Sequence, residues 1–421
     1  MLKVTVNRKE FLEQVGHSAT IFDSRTTIEQ LKYTRLSVAA LGDTRLQIDA
    51  SNMEQALVTS VACVASVTGG KGVAPTQSVP FVTLLRTQTL HQLIQNASSD
   101  SIDFEFPDDP SEPKVTMRSG RNSTTLFRLN PDGFPEFNFA PQVSLVFPGD
   151  ALANAVSTVT PYIATDDSRY GLNGFLLELP DVPVEPGIHG VRFVATDGHR
   201  LAFSYVPKVE IDTTAHNDKN VKTVPNSALA SLVPRNFAVL LKNQAARNRN
   251  VPVCIELSQT AIRATFGTVV FLSRLSEGDF PDYRQVVPNP SHATARVKVS
   301  REDLIGALSR VSLMADGKTS QIRFEVTDDG IKCSSVSVDL GAANETVDAE
   351  VTPVAENVTS VARCVGMNAT YLIGALRIMR DEYVNIWIAD ALQPLSLRES
   401  SETNGVYESR QYHLCMPMRI D

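Results

Sequence analysis

Long apolar runs and paired cysteines are both missing from this sequence. No stretch approaches the ~18 consecutive apolar residues that a membrane-spanning helix needs. The opening MLKVTVNRKEFLEQV also lacks the apolar core of a secretory signal peptide. The five cysteines stand apart without a C-x-x-C pair and the histidines are equally dispersed, which favours neither a disulfide framework nor a zinc site. We therefore expect a cytoplasmic protein with reduced thiols, no bound metal and no cofactor.

An excess of positive charge is missing as well. The chain carries 39 Lys and Arg against 47 Asp and Glu, a net charge of −8, whereas tight nucleic-acid binding needs basic side chains that neutralise phosphates. A basic patch can still lie within an acidic total. The charge thus argues only against a surface that grips nucleic acid along its whole face. The 421 residues, 43% of them hydrophobic, suffice for two to four domains.

One stretch, FVATDGHRLAFSY at 193–205, has the residue types of a catalytic site. Asp197, His199 and Arg200 follow an apolar run, and such side chains serve enzymes as base, metal ligand and oxyanion partner. A metal-assisted hydrolase using Asp197 and His199 is one hypothesis, although the sequence has no H-E-x-x-H motif, paired-carboxylate motif or Gly-rich phosphate loop. The other interpretation is a packed turn, which an aspartate before glycine commonly stabilises through its side chain.

The chain repeats one unit three times. The segments VTVNRKEFLEQV (4–15), LVFPGDALANAV (145–156) and VKVSREDLIGAL (297–308) each run from a short alternating strand into an amphipathic helix. Asn7 and Ser300 stand at helix N-cap positions, with an acidic residue three positions later. A repeat-built scaffold or adhesion protein is a further hypothesis, but it would predict a secretory signal.

Each unit also shows a second predicted helix followed by an alternating strand. The helices are TLHQLIQNA (89–97), SALASLV (227–233) and ATYLIGALRIM (369–379), and the strands are SIDFEF, VPVCIEL and YVNIWI. Since strands outnumber short helices, we expect an α+β fold with helices on one face of antiparallel sheets. The predicted domains span 1–142, 143–291 and 292–421.

Several segments resemble the bacterial DNA polymerase sliding clamps, the beta subunits of the replicative polymerase. They are RFVATDGHRLA, EGDFPDYRQVVP, DSRYGLNGF, MRSGR and the terminal CMPMRID. The resemblance implies a non-catalytic processivity factor, a head-to-tail homodimer of six clamp-type domains, each with two helices packed on antiparallel sheets. The ring would encircle double-stranded DNA without reading its sequence. It would tether the replicative polymerase, clamp loader and repair proteins through short peptides.

The resemblance also implies residue roles. A peptide pocket between the second and third domains would use Leu172, Thr196, Gly198, His199, Arg200, Leu201, Pro281, Val286, Leu392, Pro394, Met416, Pro417, Met418 and Arg419. Arg25 and Tyr170 would face DNA, and Leu126, Leu313 and Met314 would lie at the subunit contact. Gly171 departs from the family, whose members usually have a second aromatic residue there.

Overall fold

The computed structural model describes most of the chain. The described residues are 1–22, 26–38, 44–67, 81–107, 109, 112–166, 168–180, 190–212, 227–289, 292–317, 319–354, 363–389, 393–402, 406 and 409–420. No helix among them is long and apolar enough to cross a membrane. Two site residues that the resemblance implies, Arg25 and Leu392, lie outside the described residues.

The first third of the chain contains nine strands and two α-helices among its described residues. The strands are β1 (Leu2–Asn7), β2 (Tyr33–Val38), β3 (Arg45–Ser51), β4 (Gln55–Val67), β5 (Phe81–Arg86), β6 (Ser101–Phe106), β7 (Lys114–Ser119), β8 (Asn122–Leu129) and β9 (Val143–Phe147). The helices are α1 (Arg8–Ile21) and α2 (Thr87–Gln95), with a 3-10 turn at Glu29–Lys32.

The remaining described chain adds sixteen strands and four α-helices. The strands are β10 (Gly174–Pro180), β11 (Gly190–Thr196), β12 (Arg200–Pro207), β13 (Glu210–Asp212), β14 (Ser227–Pro234), β15 (Val253–Leu257), β16 (Ala261–Phe266), β17 (Val269–Arg274), β18 (Ala295–Ser300), β19 (Gln321–Thr327), β20 (Gly330–Ser337), β21 (Gly341–Pro353), β22 (Arg363–Asn368), β23 (Tyr383–Ile388), β24 (Leu395–Glu399) and β25 (Tyr412–Cys415). The helices are α3 (Gly149–Val159), α4 (Arg235–Arg247), α5 (Arg301–Ser312) and α6 (Ala369–Ile378), with 3-10 turns at Thr160–Tyr162, Tyr170–Leu172 and Tyr283–Gln285.

The described residues pack as two compact units. The first comprises those of Met1–Val146 and Pro252–Arg274, together with Asp212. Its strands follow the order β1-β6-β7-β8-β5-β2-β3-β4-β17-β16-β15-β9, and β1 also pairs with β4. Helix α1 packs against α2, β3 and β4. Phe11 on α1 meets Phe104 of β6 edge to face at 5.6 Å between ring centroids, in a core that buries the apolar stripe of both helices.

The second unit comprises the described residues within Phe147–Ile211, Asp218–Val251 and Leu275–Asp421. Its sheet runs β14-β10-β11-β12-β25-β24-β23-β18-β21-β20-β19-β22. Helix α3 packs on β12 and α4, and α5 packs on α6 and β21. The α+β class predicted from the strand and helix pattern is therefore confirmed.

Both sheets cross the predicted domain boundaries. In the first unit β17 pairs with β4, with Val270 opposite Val58. In the second unit β12 pairs with β25, with Leu201 opposite Leu414. These pairings cover sheet edges that would otherwise stay open. The boundaries at 142 and 291 stay predictions.

Local sequence signals explain the helix starts that they predicted. The Asn7 side chain accepts hydrogen bonds from the backbone N–H groups of Lys9 and Glu10 at 3.0 and 3.2 Å. The Ser300 hydroxyl accepts one from the N–H of Asp303 at 3.4 Å. Both contacts satisfy donors that the first helical turn leaves unpaired.

The predicted helix at 227–233 is wrong. This segment is strand β14, in which Leu232 and Val233 pair with Leu176 and Phe175 of β10. A seven-residue apolar run fits the periodicity of an α-helix as well as that of a β-strand, and pairing with a neighbouring strand decides between the two. The second helix of the middle sequence repeat is α4, which begins directly after Pro234. The other predicted helices and their following strands are present.

Candidate functional site

The tight turn between β11 and β12 is built around Asp197. Its Oδ1 accepts hydrogen bonds from the backbone N–H groups of His199 and Arg200 at 3.0 and 3.1 Å. Its Oδ2 accepts one from Nε of Arg200 at 2.9 Å. Gly198 has φ of +89°, a backbone conformation that glycine adopts without steric cost. The structural interpretation of this aspartate is confirmed.

This geometry argues against the hypothesis of a metal-assisted hydrolase. The Asp197 carboxylate already accepts three hydrogen bonds within its own turn, so it is not placed as a base or a metal ligand. In the described part of the chain, no three His, Cys, Asp or Glu side chains are grouped to hold a metal ion.

Arg200 is fixed by two aromatic rings and a carbonyl group. Its guanidinium carbon lies 4.9 Å from the ring centroid of Tyr162 and 4.5 Å from that of Tyr371. Its Nη2 donates to the carbonyl oxygen of Pro161 at 2.8 Å. Cation–π contacts with a partly desolvated guanidinium stabilise one orientation of the side chain. The guanidinium of Arg200 is therefore held in one orientation beside the turn.

Tyr371 is a site residue that the sequence did not reveal. It lies on α6, and its ring stacks on His199 at 6.5 Å between centroids as well as on Arg200. In the sequence it is one of several apolar residues at helical spacing, and that pattern cannot distinguish a core side chain from one at the edge of a pocket.

The C-terminal segment continues from β25 across the turn. The backbone N–H of Met416 donates to the carbonyl oxygen of His199 at 2.9 Å, and that of Met418 donates to Gly366 at 2.8 Å. Nε2 of Gln321 donates to the carbonyl oxygen of Arg419 at 2.7 Å. The chain end is thus held in an extended path between β12 and β22.

An apolar cluster underlies the turn and the chain end. Leu201 is 2% exposed, and Met416 packs partly buried on the same cluster. Pro394 is buried and precedes β24, whose Leu395 pairs with Cys415. The cluster consists of Leu176, Val194, Leu201, Phe203, Tyr283, Tyr412 and Leu414. The structure therefore brings Thr196, Gly198, His199, Arg200, Leu201, Pro394, Met416, Pro417, Met418 and Arg419 into one region of the second unit.

A buried carboxylate anchors the FPDYR segment to this region. Glu178 on β10 has no solvent exposure. Its Oε2 accepts hydrogen bonds from the hydroxyl of Tyr283 at 2.7 Å and from Nη1 of Arg192 at 3.0 Å, and its Oε1 pairs with Arg284. A tyrosine hydroxyl is already protonated at neutral pH, and burial raises the pKa of Tyr283 further, so the hydroxyl is a donor to Glu178. Glu178 could not be predicted from the sequence, because one acidic residue in an apolar strand has no recognisable pattern.

The anchored segment leaves its predicted pocket residues accessible. Pro281 is exposed, and Val286 is 44% exposed. Tyr283 belongs to the same cluster as Leu201, so the two residues flanking this anchor lie in the same region as the turn.

Leu172 is tied to the turn through its own loop. Nη1 of Arg169 donates to the carbonyl oxygen of Asp197 at 2.8 Å, and the carbonyl oxygen of Leu172 accepts from Ala164 at 3.0 Å. A Cβ atom on Gly171 would lie 2.5 Å from the carbonyl oxygen of Asp279. This close approach accounts for a glycine at a position where an aromatic residue was expected.

Comparison with known proteins identifies the family of the chain that contains this region. A family model described as DNA polymerase III beta subunit, central domain, matches residues 147–282, and one described as its C-terminal domain matches residues 284–419. The chain belongs to the DNA polymerase III beta subunit family. Its members are the beta sliding clamps, and the function of the chain is that of a DNA polymerase processivity clamp.

Relatives of known structure or name cover the whole chain. The beta sliding clamp of Escherichia coli strain K12 is 24% identical over 422 residues, with 100% of both chains covered. The crystal structure of the Pseudomonas aeruginosa sliding clamp bound to griselimycin has a TM-score of 0.81 at 24% identity, again with 100% of both chains covered. The Thermotoga maritima beta subunit has a TM-score of 0.80 at 17% identity and 100% coverage of both chains.

The residues assigned to DNA and to the subunit contact have contrasting surroundings. Tyr170 is 75% exposed and Leu313 is 71% exposed, while Met314 is partly buried. Leu126 is only 8% exposed and packs in the core of the first unit, whereas its neighbour Phe127 is 70% exposed. The roles of these residues in DNA contact and dimer contact stay predictions.

Proposed function

We propose that two copies of the chain join head to tail into a ring that encircles double-stranded DNA. The ring has no catalytic activity of its own and acts in the bacterial cytoplasm. It holds the replicative polymerase, the clamp loader and repair proteins on DNA by binding short peptides of each. The observation that carries this proposal is the joining of the TDGHR turn, the FPDYR segment and the chain end in one region of a sliding-clamp fold.

The chemistry of this region fits an extended apolar peptide. Met416 and Met418 are both partly buried, Met416 on the apolar cluster, and methionine side chains can change shape to fit varied partners. The backbone of the chain end is already hydrogen-bonded to His199 and Gly366, so little conformational entropy remains to be lost on binding. Arg200 and His199 supply polar groups that set the peptide's register. Such a site suits many partners that share a short motif.

Two open strand edges support the proposed dimer. Residues 122–127 of β8 pair with β7 on one side, and residues 341–348 of β21 pair with β20 on one side. Neither stretch has a second strand partner among the described residues. Pairing of β8 from one protomer with β21 from the other would close both edges and repeat the sheet-joining seen at β4–β17 and β12–β25.

The acidic net charge agrees with a ring that slides. A ring linked to DNA by topology needs no tight phosphate contacts, and many of these would slow its movement. Positive charge is present near α3, where Arg249 donates to the side chain of Asn154 at 3.0 Å and Arg380 contacts the same oxygen. These arginines and Tyr170 are the proposed sequence-independent DNA contacts.

A processivity assay tests the proposed function. A bacterial replicative polymerase and its loader are supplied with a primed circular template, with and without this protein. We expect product length per binding event to increase several-fold with the protein, and the increase to require the loader and ATP. Unchanged product length with a loader that acts on this protein would contradict the proposal.

A further inference from the structure

The β20–β21 hairpin ends in an apolar tip, made of Val336, Val338 and Leu340. Their exposed fractions are 80%, 103% and 62%. The hydroxyl of Ser335 donates to the carbonyl oxygen of Met314 at 3.1 Å, which ties this tip to the turn carrying the exposed Leu313. A surface with this much unburied apolar area is typical of an interaction site.

Exposed apolar side chains are concentrated on few elements. Seven large apolar residues among those described are more than 60% exposed, and five of them are Phe127, Leu313 and the three tip residues. Phe127 lies in β8, where it pairs with Lys114 of β7. Strand β5 reaches only the following two residues of β8. Phe127 therefore sits at the C-terminal end of the open part of the β8 edge.

We infer that Phe127 of one protomer packs against the apolar tip of its partner and seals the subunit contact. This inference rests on the proposed homodimer. Every strand pairing whose register the structure describes is antiparallel. If β8 and β21 pair likewise, the C-terminal end of the β8 edge lies opposite the N-terminal end of β21. That end of β21 follows directly after the tip.

Charge favours the same orientation. Arg121 is exposed just before β8, and Asp348 is exposed at the far end of the open β21 edge. Antiparallel pairing places these opposite charges near each other, whereas parallel pairing places Asp348 beside Phe127. Only the antiparallel arrangement brings apolar groups together at one end and opposite charges together at the other. A second copy of the chain is the occupant that supplies both edges at once.

Cysteine cross-linking tests the contact directly. The chain with both F127C and V338C is oxidised mildly, and covalent dimers are counted on a denaturing gel. The matched control carries F127C with D348C, which would cross-link only in the parallel arrangement. Each single variant measures background from the native thiols, of which Cys63, Cys333 and Cys415 are buried. We expect cross-linking in the first double variant, at least about tenfold above both controls.

Sedimentation of the unmodified chain separates this inference from the proposed ring. If the chain is a dimer but F127C with V338C gives no more cross-link than the controls, the apolar seal is overturned and the ring stands. A monomeric chain at micromolar concentration overturns both. A second readout uses F127S, which we expect to weaken dimerisation at least about tenfold, since a buried phenylalanine contributes a factor of this size or more. Its melting temperature as a monomer stays unchanged, because Phe127 is exposed there. Unchanged dimerisation of F127S would also overturn the seal.

Discussion

His413 makes the second unit sensitive to acid. The imidazole is fully buried on β25, and its Nδ1 lies 2.7 Å from the hydroxyl of Tyr162. Its Nε2 has no hydrogen-bond partner among the described residues. Burial, and to a lesser extent the nearby Arg200 guanidinium, lowers the pKa of His413 from its ordinary 6.5 to about 3. The folded protein therefore holds this histidine neutral.

The sign and size of the effect follow from linkage. The pKa of His413 is lower in the folded chain than in the unfolded chain. The free energy of unfolding is therefore at its full value above pH ~6.5 and decreases as the pH falls towards about 3. Each unit of pKa difference corresponds to ~1.4 kcal/mol. Between pH 7 and pH 5 the loss attributable to His413 is about 2 kcal/mol, since the unfolded chain binds the proton over most of this range and the folded chain does not.

Unfolding by urea at the two pH values measures this loss. The chain's single tryptophan, Trp387, lies on β23, which pairs with β24, and Leu397 of β24 is opposite His413. Its fluorescence thus reports the sheet that contains the histidine. H413Q is the matched variant, because glutamine stays neutral and can accept the Tyr162 hydrogen bond. We expect the wild-type chain to lose about 2 kcal/mol more than H413Q between pH 7 and pH 5. Equal losses would refute the reasoning.

Three further outcomes are expected. Deleting residues 416–421 removes the apolar end of the proposed peptide site and should weaken binding of a fluorescent clamp-binding peptide by more than about 2 kcal/mol, measured by anisotropy, with dimerisation intact; undiminished binding would mean that the chain end is not part of the site. The double variant L313A with M314A should sediment as a monomer at low micromolar concentration, because it removes two apolar anchors; a persistent dimer would show that the contact lies elsewhere. Gly171→Ala should lower the melting temperature by several degrees, because its Cβ would lie 2.5 Å from the carbonyl oxygen of Asp279; an unchanged value would show that the loop relaxes freely.

Sequence patterns predicted those parts of the fold that depend on neighbouring residues. The caps at Asn7 and Ser300, and five of the six α-helices in the described part of the chain, follow from local spacing. The strand at 227–233 could not be predicted in this way, because it pairs with β10, whose residues lie about fifty positions away in the sequence. For the same reason, the sequence contained no sign that Glu178 holds Tyr283.

The candidate site likewise contains some residues that sequence patterns predicted and others that depend on tertiary packing. The turn and the chain end were predicted through segments that resemble a known family, and the structure brings them together. Tyr371 was missed, since its contact with Arg200 depends on how α6 packs. The exposure of Phe127 could not be predicted either, because the alternation of a strand does not reveal which edge lacks a neighbour. These features arise from tertiary packing, which local periodicity does not determine.

Retention on circular and linear DNA tests the proposed ring most directly. The protein is loaded onto a nicked circular plasmid, the free protein is removed by gel filtration, and half of the sample is then cut once. We predict that the protein stays on the circle, even in salt that disrupts ordinary phosphate contacts, and leaves the linear molecule by sliding from its ends. Bulky blocks on both ends should restore retention. Equal retention on circular DNA and on linear DNA with free ends would contradict the account.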